Sequence, residues 1–439
     1  MRVSVIGCGY LGATHAAAMA EIGHEVRGLD VDPDKVELLN RGEVPFHEPG
    51  LDELLARHVA AGRLSFTTDY ADVGDWADVH FVCVATPQRP GELAADMGQL
   101  DSVVDSLGKL LTRPALVVGK STVPVGTAAA LLRRFREVAP AGDEVTLVWN
   151  PEFLREGHAV NDTLRPDRIV IGRADGDDTS PATLVELYGP IAQPATPVIV
   201  TDYPTAELVK VAANSFLATK ISFINAMADV CEAAGADITV LADAIGHDAR
   251  IGRSFLNAGL GYGGGCLPKD VRALTARAGE LGVADSFAFL REVDALNEQR
   301  RAKTVSKAIE LLGRPLVGSR VAVLGAAFKP LSDDIRDSPA LNVAGRLQLM
   351  GAYVIVYDPK ANDNARRLWP TLQYAVGVEE ACDQADLVIV LTEWQEFVGM
   401  DPATLAPLMR ERKVLDARNC LDPAAWRAAG WTYRGLGRS

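Results

Sequence analysis

The feature that most constrains the fold is a glycine turn directly after the first apolar segment. Arg2–Ile6 form a short apolar run, residues 7–12 read Gly-Cys-Gly-Tyr-Leu-Gly, and an alanine-rich helical pattern continues to Ile22. A second predicted strand, His24–Leu29, ends at Asp30. A strand, a G-x-G-x-x-G turn, a helix and a strand closed by an acidic residue together predict a dinucleotide-binding βαβ unit.

The chemistry of this unit indicates which dinucleotide it binds. Its glycines allow a tight turn, close approach of the backbone to pyrophosphate and packing of helix on strand, with the phosphate at the helix N-terminus. Asp30 would accept hydrogen bonds from the adenosine ribose and repel a 2′-phosphate, so we predict NAD rather than NADP. Lys35 could reach a cofactor phosphate or lie on a solvated helix face, and Cys8 is predicted to be a packed small residue. The cofactor residues expected in this unit are Gly7, Gly9, Tyr10, Leu11, Gly12, Asp30 and Lys35.

Polar residues follow three further predicted strands of a parallel sheet. The strands and the residues after them are Val79–Ala85 with Thr86, Leu116–Gly119 with Thr122, and Val145–Trp149 with Glu156. Functional groups in open parallel sheets gather at the carboxyl ends of strands, so these side chains are site candidates. Helix capping is the alternative interpretation, but it accounts less well for three such ends. Ile169–Gly172 and Val198–Val200 are predicted to be the last strands of this domain.

Composition excludes several classes of function. The 439 residues predict two or three domains, and a net charge of -14 without a basic run argues against nucleic-acid or anionic-membrane binding. Six scattered cysteines indicate neither a zinc cluster nor a disulfide framework, and we expect no metal. No signal peptide or apolar run of transmembrane length is visible, so we expect a cytoplasmic protein that does not engage a membrane.

A long alanine-rich helical pattern runs from Tyr203 to Ala234 and ends at Gly235. At about 1.5 Å per residue it would span roughly 45 Å, long enough to run between domains and to form a subunit contact. Lys210 and Asn214 lie four residues apart and would share one face of the helix. Both are polar in a mostly apolar stretch, so they project either into a cavity or into solvent.

The segment Gly-Tyr-Gly-Gly-Gly-Cys-Leu-Pro-Lys-Asp, residues 261–270, presents Cys266 after a glycine run with Lys269 and Asp270 beside it. A thiol in such surroundings is a candidate nucleophile. Two plainer interpretations compete with this one. Cysteine is often a small buried hydrophobe, and Asp270 could cap a helix over Val271–Leu281.

A second α/β pattern begins after residue 313. Its predicted strands are Arg320–Leu324, Tyr353–Tyr357, Leu387–Leu391 and Lys413–Leu415. The first turn lacks G-x-G-x-x-G, so Lys329, Arg336 and Arg418 are predicted to hold a nucleotide diphosphate rather than a second dinucleotide. The fold class is therefore α/β: two Rossmann-like parallel-sheet domains, residues 1–202 and 314–439, joined by a long central helix and a small all-helical domain, residues 203–313.

Together these motifs resemble the UDP-glucose/GDP-mannose 6-dehydrogenase family over essentially the whole chain. The resemblance rests on the glycine turn, on residues 121–127 (Ser-Thr-Val-Pro-Val-Gly-Thr), 150–157 (Asn-Pro-Glu-Phe-Leu-Arg-Glu-Gly) and 207–210 (Glu-Leu-Val-Lys) with Asn214, on the cysteine segment, and on residues 327–330 and 333–336. It implies a dimer formed by the central domain, a C-terminal domain that holds the sugar nucleotide, and oxidation of a C6 alcohol to a carboxylate with two NAD in turn.

The resemblance also implies roles for single residues. Cys266 would attack the intermediate aldehyde, and the resulting thiohemiacetal would be oxidised to a thioester. Lys210 and Asn214 would stabilise oxyanions, Asp270 would order water, and Glu156 would be the base for hydrolysis. Thr122 would contact cofactor and water, and Glu152 would be structural or order water. The implied contacts to NAD also include Thr86, Glu156, Lys269 and Arg336. Arg250 would reach into the neighbouring subunit's site. The residues implied to contact the sugar nucleotide are Glu152, Phe153, Leu154, Arg155, Glu156, Lys210, Asn214, Arg250, Phe255, Leu256, Asn257, Ala258, Gly259, Gly263, Lys329 and Arg418.

The chain departs from the family pattern at two positions. Gly265 stands where many members have serine, and Trp149 stands where a small residue is usual. Neither removes a reactive group.

Some alternatives stay open. The residues around Arg250 and Gly261 favour UDP-glucose over GDP-mannose, while dTDP-glucose or a UDP-N-acetylhexosamine would use the same chemistry. A single-step β-hydroxyacid dehydrogenase would need neither Cys266 nor a second α/β domain. A catalytically silent binding protein would have lost Cys266, Lys210 or Asp270.

Overall fold

The computed structural model describes residues 1–192 and 196–438. They form two compact units, each drawn from two stretches of chain. The first unit comprises Met1–Ala213 and Ala276–Gly282, and the second comprises Asn214–Thr275 and Val283–Ser439. The division into three domains stays a prediction.

The first unit contains an eight-stranded sheet. Its strands are β1 Arg2–Ile6, β2 Glu25–Leu29, β3 Leu64–Thr67, β4 Val79–Val82, β5 Ala115–Gly119, β6 Val145–Trp149, β7 Ile169–Arg173 and β8 Val198–Asp202. Its helices are α1 Tyr10–Glu21, α2 Pro33–Asn40, α3 Leu51–Ala60, α4 Gly98–Leu107, α5 Thr127–Val138, α6 Ala159–Leu164 and α7 Thr179–Tyr188. The spatial order β3-β2-β1-β4-β5-β6-β7-β8 reverses direction at β1, so the crevice for a ligand lies between the ends of β1 and β4.

The central strands β4 to β7 are apolar in nearly continuous runs and almost fully buried, as expected for strands that helices cover on both faces. In β1, Val3 and Val5 pack into one core cluster with α1 and α3, whereas Ile6 packs into the opposite cluster with α4 and α5. All three side chains are at most 1% exposed. The expected sheet is therefore confirmed, with β4 ending at Val82, three residues earlier than its apolar run suggests.

Two details of this sheet could not be read from the sequence. Strand β7 runs antiparallel to β6, pairing Val148 with Arg173, and parallel to β8. Trp149 is buried because its ring fills the space above Gly119, where a β-carbon would overlap it. A glycine on the neighbouring strand thus accommodates the unusual tryptophan.

The second unit carries the remaining elements. Its helices and those shared with the first unit are α8 Tyr203–Ala234, α9 Ile238–Gly246, α10 Leu267–Glu280, α11 Ala288–Leu312, α12 Pro339–Leu349, α13 Asn362–Leu368, α14 Val378–Cys382, α15 Gln395–Val398, α16 Pro402–Leu405 and α17 Pro423–Ala428. Its strands are β9 Arg320–Leu324, β10 Tyr353–Tyr357, β11 Gln373–Tyr374, β12 Leu387–Val390, β13 Lys413–Asp416 and β14 Thr432–Gly435. They form a parallel sheet in the order β11-β10-β9-β12-β13-β14.

The long helix is confirmed: α8 spans 32 residues. The predicted helix over Val271–Leu281 is wrong at its start, because α10 begins at Leu267. Pro268 is compatible with this position since the first turn of a helix needs no N–H from it. Asp270 therefore lies inside the first turn and does not cap the helix. No helix in the described ranges is long and apolar enough to cross a membrane.

Candidate active site

The glycine turn of the first unit forms a cradle for a dinucleotide phosphate. Gly7 has φ +88°, and a β-carbon on Gly12 would overlap the Gly7 carbonyl, so both positions require glycine. Gly9 is the residue before α1, and a β-carbon on it would meet open space. This space adjoins the N-terminus of α1, where the helix dipole favours an anion. These residues fit a bound pyrophosphate, with Tyr10 and Leu11 on the first turn of the helix.

Asp30 lies at the end of β2 with its carboxylate held in place. Its Oδ2 accepts hydrogen bonds from the Cys8 N–H at 2.8 Å and from the Lys35 ammonium at 2.9 Å, and its Oδ1 accepts one from Asp32 N–H at 3.1 Å. Lys35 therefore pairs with Asp30, which neither interpretation of the sequence anticipated. Cys8 is fully buried, and burial raises the pKa of its thiol, as expected for a packed residue.

Thr86 and Thr122 meet at the carboxyl ends of β4 and β5. The Thr86 hydroxyl donates to the Thr122 carbonyl at 2.6 Å, and the neighbouring Ser121 hydroxyl donates to the Val84 carbonyl. Glu207 holds the end of the same segment: its carboxylate accepts the N–H groups of Gly126 at 2.7 Å and Ala128 at 2.6 Å. Burial raises the pKa of Glu207, while those backbone donors oppose the shift.

The segment after β6, which carries Glu152 and Glu156, is fixed at its far end by Glu48. The Glu48 carboxylate is 2% exposed and accepts the N–H groups of Gly157 at 2.6 Å and Ala159 at 2.8 Å, at the start of α6. A buried carboxylate at a helix N-terminus is stabilised both by these bonds and by the helix dipole.

A buried polar cluster fixes the near end of the same segment. The Lys120 ammonium donates to the Asn150 side-chain oxygen at 3.0 Å, and the Tyr188 hydroxyl donates to that oxygen at 2.8 Å. Asn150 Nδ2 donates to the Val170 carbonyl at 2.8 Å. Burial lowers the pKa of Lys120, so its ammonium depends on these partners. The ends of β5 and β6 are therefore tied together beneath the two loops.

Within this segment the side chains have definite partners. Glu152 pairs with Lys210 at 3.0 Å, and both side chains are largely buried, at 11% and 6% exposure. Arg155 forms a two-pronged ion pair with Asp162, and the Arg168 guanidinium lies 3.8 Å from the ring centre of Phe153. Glu156 is half-buried and accompanies Leu154 in the same loop. The first unit thus offers an ammonium, two carboxylates and a hydroxyl at the carboxyl end of its sheet.

In the second unit Cys266 directly precedes α10, and its carbonyl accepts the Asp270 N–H at 2.9 Å. Cys266 is exposed, whereas Cys8, Cys83, Cys231 and Cys382 are buried and Cys420 is half-buried. The positive end of the α10 dipole stabilises negative charge on the sulfur, a recurrent way to activate a thiol. The interpretation of Cys266 as a buried hydrophobe is therefore wrong.

Asp270 is 1% exposed and accepts two side-chain hydrogen bonds. The Asn214 amide donates to its Oδ2 at 2.6 Å, and the Lys269 ammonium donates to its Oδ1 at 2.7 Å. A buried carboxylate needs such donors to stay charged. Lys269 therefore stands beside Asp270, and both follow Cys266 on the first turn of one helix.

The predicted sugar-nucleotide residues of the second unit have mixed surroundings. Arg250 pairs with Asp248 on the surface, Phe255 has a left-handed φ of +66°, and Asn257 accepts a hydrogen bond from Arg253. Leu256 and Ala258 pack into an apolar cluster of α8 and α9, so a ligand would reach only their backbone. Gly259 and Gly263 lie against Ala417 and Asp337, where a β-carbon would overlap carbonyl oxygens.

The three cations of the C-terminal sheet differ in their contacts. Arg418 donates to the carbonyls of Leu391, Gly261 and Phe328 at 2.8, 3.1 and 3.2 Å, so it braces loops in this unit. Lys329 is half-buried and lies 5.4 Å from the Phe328 ring centre. Arg336 pairs with Asp334 at 2.7 Å, and its guanidinium occupies the space that a β-carbon at Gly265 would need. The glycine at position 265 thus makes room for Arg336.

Comparison with known proteins decides the family. Family models of the UDP-glucose/GDP-mannose dehydrogenase family match residues 1–192 (NAD binding domain), 204–299 (central domain) and 322–423 (UDP binding domain). The chain belongs to the UDP-glucose/GDP-mannose dehydrogenase family. It is therefore an NAD-dependent oxidoreductase of the nucleotide-sugar dehydrogenase type, and the predicted fold class and NAD cofactor are confirmed.

Several relatives within this family cover the chain from end to end. UDP-glucose 6-dehydrogenase of Rhizobium meliloti (strain 1021) is 42% identical over 439 residues, covering 100% of both chains. UDP-glucose 6-dehydrogenase YwqF of Bacillus subtilis (strain 168) is 41% identical, covering 100% of this chain and 98% of the relative. A solved structure of a UDP-glucose dehydrogenase from Pyrobaculum islandicum is 38% identical with a TM-score of 0.91, covering 100% of this chain and 98% of the other. UDP-D-ManNAc dehydrogenase from Pyrococcus horikoshii is 25% identical with a TM-score of 0.87, covering 100% and 99%.

Sequence reasoning missed the residues that hold the loops of this dehydrogenase. Glu48, Lys120 and Tyr188 gave no local signal, because each acts on a segment far away in the chain. Glu207 and Asn150 stand inside motifs that carry the family resemblance, and their buried contacts explain why those positions need an acid and an amide.

Replacing Asp30 by alanine should weaken the binding of NAD and reduce the preference for NAD over NADP. Loss of a charge-assisted acceptor costs about 1.5–3 kcal/mol, so we expect KM for NAD to rise about tenfold or more. The ratio of kcat/KM for NADP to that for NAD should rise as well, since no carboxylate repels the 2′-phosphate. Steady-state rates with both cofactors measure this.

Asp32→Ala is the matched control for Asp30→Ala. Asp32 accepts the N–H groups of Asp34 and Lys35 at the start of α2, so it acts as a helix cap. Its loss should lower stability by about 0.5–2 kcal/mol and leave the cofactor ratio unchanged. An unchanged ratio in Asp30→Ala would contradict the proposed ribose contact.

Proposed function

We propose that this chain oxidises UDP-glucose to UDP-glucuronate through a covalent adduct on Cys266. The exposed thiol at the start of α10, next to buried Asp270, is the observation that carries the proposal. NAD, when bound, accepts the hydride in each of two oxidations. The similarity to relatives named UDP-glucose 6-dehydrogenase over the full chain supports the choice of sugar nucleotide.

The chemistry follows from the types of groups present. Oxidation of the C6 alcohol gives an aldehyde and releases one proton. The Cys266 thiolate adds to the aldehyde carbon, and protonation of the oxygen gives a thiohemiacetal. Loss of the second hydride and of the hydroxyl proton gives a thioester. Water then attacks the acyl carbon, and the C–S bond breaks to release the carboxylate and the thiolate.

The remaining residues provide charge and order. Lys210 and Asn214, one turn apart on α8, are proposed donors to the C6 oxygen as negative charge develops on it. Asp270, itself buried among donors, would order the hydrolytic water, and half-buried Glu156 would accept its proton. Thr122 would contact cofactor and water. Glu152, through its ion pair, orients the Lys210 ammonium.

The test of this proposal is the NADH yield per sugar nucleotide consumed. We expect two NADH per UDP-glucose, with UDP-glucuronate as the product on mass spectrometry. A yield of one would contradict the double oxidation and favour a single-step dehydrogenase. UDP-glucose could give no turnover while dTDP-glucose, GDP-mannose or a UDP-N-acetylhexosamine gives two NADH. That result would support the mechanism and change the substrate. The likeness to the UDP-D-ManNAc dehydrogenase is the reason to include a UDP-N-acetylhexosamine in the assay.

We also propose that the enzyme is a homodimer formed through α8. Phe216, Phe223 and Val230 recur every seven residues on this helix and are 66%, 52% and 56% exposed. Such a stripe is a suitable surface for a second copy of the same helix. Sedimentation equilibrium should give a mass twice the 46.9 kDa of one chain. For Phe223→Glu the measured mass should fall to that of a single chain. A monomeric parent chain would contradict this. Cytoplasmic location stays a prediction.

A further inference from the structure

The loop before the cysteine, residues 259–265, is held through its backbone by buried side chains of the second unit. At its start, the Gly259 N–H donates to the Asn225 side-chain oxygen at 2.8 Å. The Gly259 carbonyl accepts from Arg300 Nε at 3.0 Å. Both polar groups of one peptide residue are therefore bound by side chains of two helices, α8 and α11.

Asn297 on α11 binds the middle of this loop in the same two-sided manner. Its side-chain oxygen accepts the Tyr262 N–H at 2.8 Å, and its amide donates to the Tyr262 carbonyl at 2.9 Å. Gly261 has φ +96°, and a β-carbon there would overlap the Asn297 oxygen. The glycine before Tyr262 is thus required both by the backbone conformation and by the approach of Asn297.

The side chains that hold the loop are almost fully buried. Asn225, Asn297 and Arg300 are 1%, 1% and 2% exposed. Arg300 also pairs with Asp229 at 2.5 Å, which compensates its charge. Burying a guanidinium and two amides is costly unless they form strong hydrogen bonds, and a packing role alone would be served by apolar residues. Each of the three forms at least one hydrogen bond to the backbone of the loop that precedes Cys266.

We propose that Asn297 and Arg300 are positioning residues that fix the Cys266 sulfur for the second oxidation. The proposal rests on the proposed function of Cys266. The first hydride transfer does not involve the sulfur, whereas addition to the aldehyde needs the sulfur about 3 Å from the carbonyl carbon. A loop displaced by about 1 Å costs on the order of 10²-fold in such a step. Loosening the loop therefore slows the second oxidation selectively.

The test separates the two oxidations in Asn297→Ala. In rapid mixing with UDP-glucose and NAD, the first NADH should form within about threefold of the parent rate, and the second about 10- to 100-fold more slowly. Arg300→Lys, which keeps a cation for Asp229, should show the same selective defect if Asn297→Ala folds poorly. Ser222→Ala is the matched control: Ser222 is 2% exposed and donates to the Val293 carbonyl, so its bond joins α8 to α11 and not to the loop. It should leave both steps unchanged.

A second readout does not depend on turnover. Alkylation of Cys266 by iodoacetamide, followed by peptide mass spectrometry, should be about three- to tenfold slower at neutral pH in Asn297→Ala, with its pH midpoint moved upward. Equal slowing of both oxidations, or alkylation as in the parent, would overturn the positioning role. If the parent itself yields one NADH per sugar, the proposed function fails. The alkylation profile alone then decides whether Asn297 fixes the position of the Cys266 sulfur.

Discussion

Replacing Cys266 by serine should end the reaction after about one NADH per UDP-glucose. The first oxidation needs no sulfur, but a serine hydroxyl is a far weaker nucleophile toward the aldehyde than a thiolate. We expect acid formation to fall by about 10³-fold or more, as for loss of other covalent nucleophiles. The measurement is NADH yield at completion, together with trapping of the free aldehyde by a hydrazine and mass spectrometry.

Cys420→Ser provides the control for loss of a thiol. Cys420 is half-buried in the C-terminal sheet domain, 3.6 Å from an Asp416 oxygen, and the proposed chemistry does not use it. This variant should still yield two NADH. Two NADH and free UDP-glucuronate from Cys266→Ser at a rate near that of the parent would exclude the thioester route.

Replacing Lys210 by methionine should reduce kcat by about 10²–10³-fold for both oxidations, because each one develops negative charge on the C6 oxygen. Methionine keeps the unbranched shape of the side chain up to the Cε position but removes the ammonium. It leaves the Glu152 carboxylate without the cation that lies 3.0 Å away. The KM for UDP-glucose should change much less than kcat. Stopped-flow measurement of both NADH phases tests the symmetry of the effect.

Lys307→Met separates this effect from simple loss of an ion pair. Lys307 on α11 pairs with Glu232 and Glu310, at 3.1 and 3.0 Å. Its replacement should alter stability and leave kcat within about twofold, since the proposed chemistry does not use Lys307. A fall of less than threefold in kcat for Lys210→Met would remove Lys210 from the proposed mechanism.

Local patterns predicted the parts of this chain that local chemistry determines. Within the turn at residues 7–12, Gly7 needs a positive φ and Gly12 lies against the Gly7 carbonyl, so the requirement for glycine is local. The positions of β1, α1 and β2 and the role of Asp30 could therefore be predicted from the sequence alone. The length of α8 follows in the same way from an uninterrupted helical pattern closed by Gly235. The candidate site residues could be predicted from the ends of strands and from the family resemblance. Their hydrogen-bond and ion-pair partners could not.

The partners were invisible because they come from far along the chain. Glu48 accepts the Gly157 N–H across 109 residues, and Glu207 accepts the Gly126 N–H across 81. Glu48 carries no mark that distinguishes it from a surface carboxylate until the fold buries it. Glu207 stands in a motif of the family, but the sequence gives no sign of its distant partner. The reversal of β7 against β6 is hidden for a similar reason: an apolar run of five residues is the same in either direction.

The start of α10 was misplaced for a different reason. A proline is excluded from an ordinary helix interior, which favours a start after Pro268, but its missing N–H is harmless in the first turn. That early start puts Cys266 immediately before the helix, which is the geometry on which its proposed reactivity depends.

The first compact unit is built from two separate stretches of the chain, and this limits how recombination can exchange it between related proteins. Residues 276–282 belong to it, and within it the Arg277 guanidinium donates to the Val125 carbonyl at 2.8 Å, in the loop that leads from Thr122 to α5. A gene fragment ending at codon 213 would encode the matched NAD binding domain but an incomplete first unit. Recombination between relatives that transplants this unit must therefore carry a second, separate stretch of the gene.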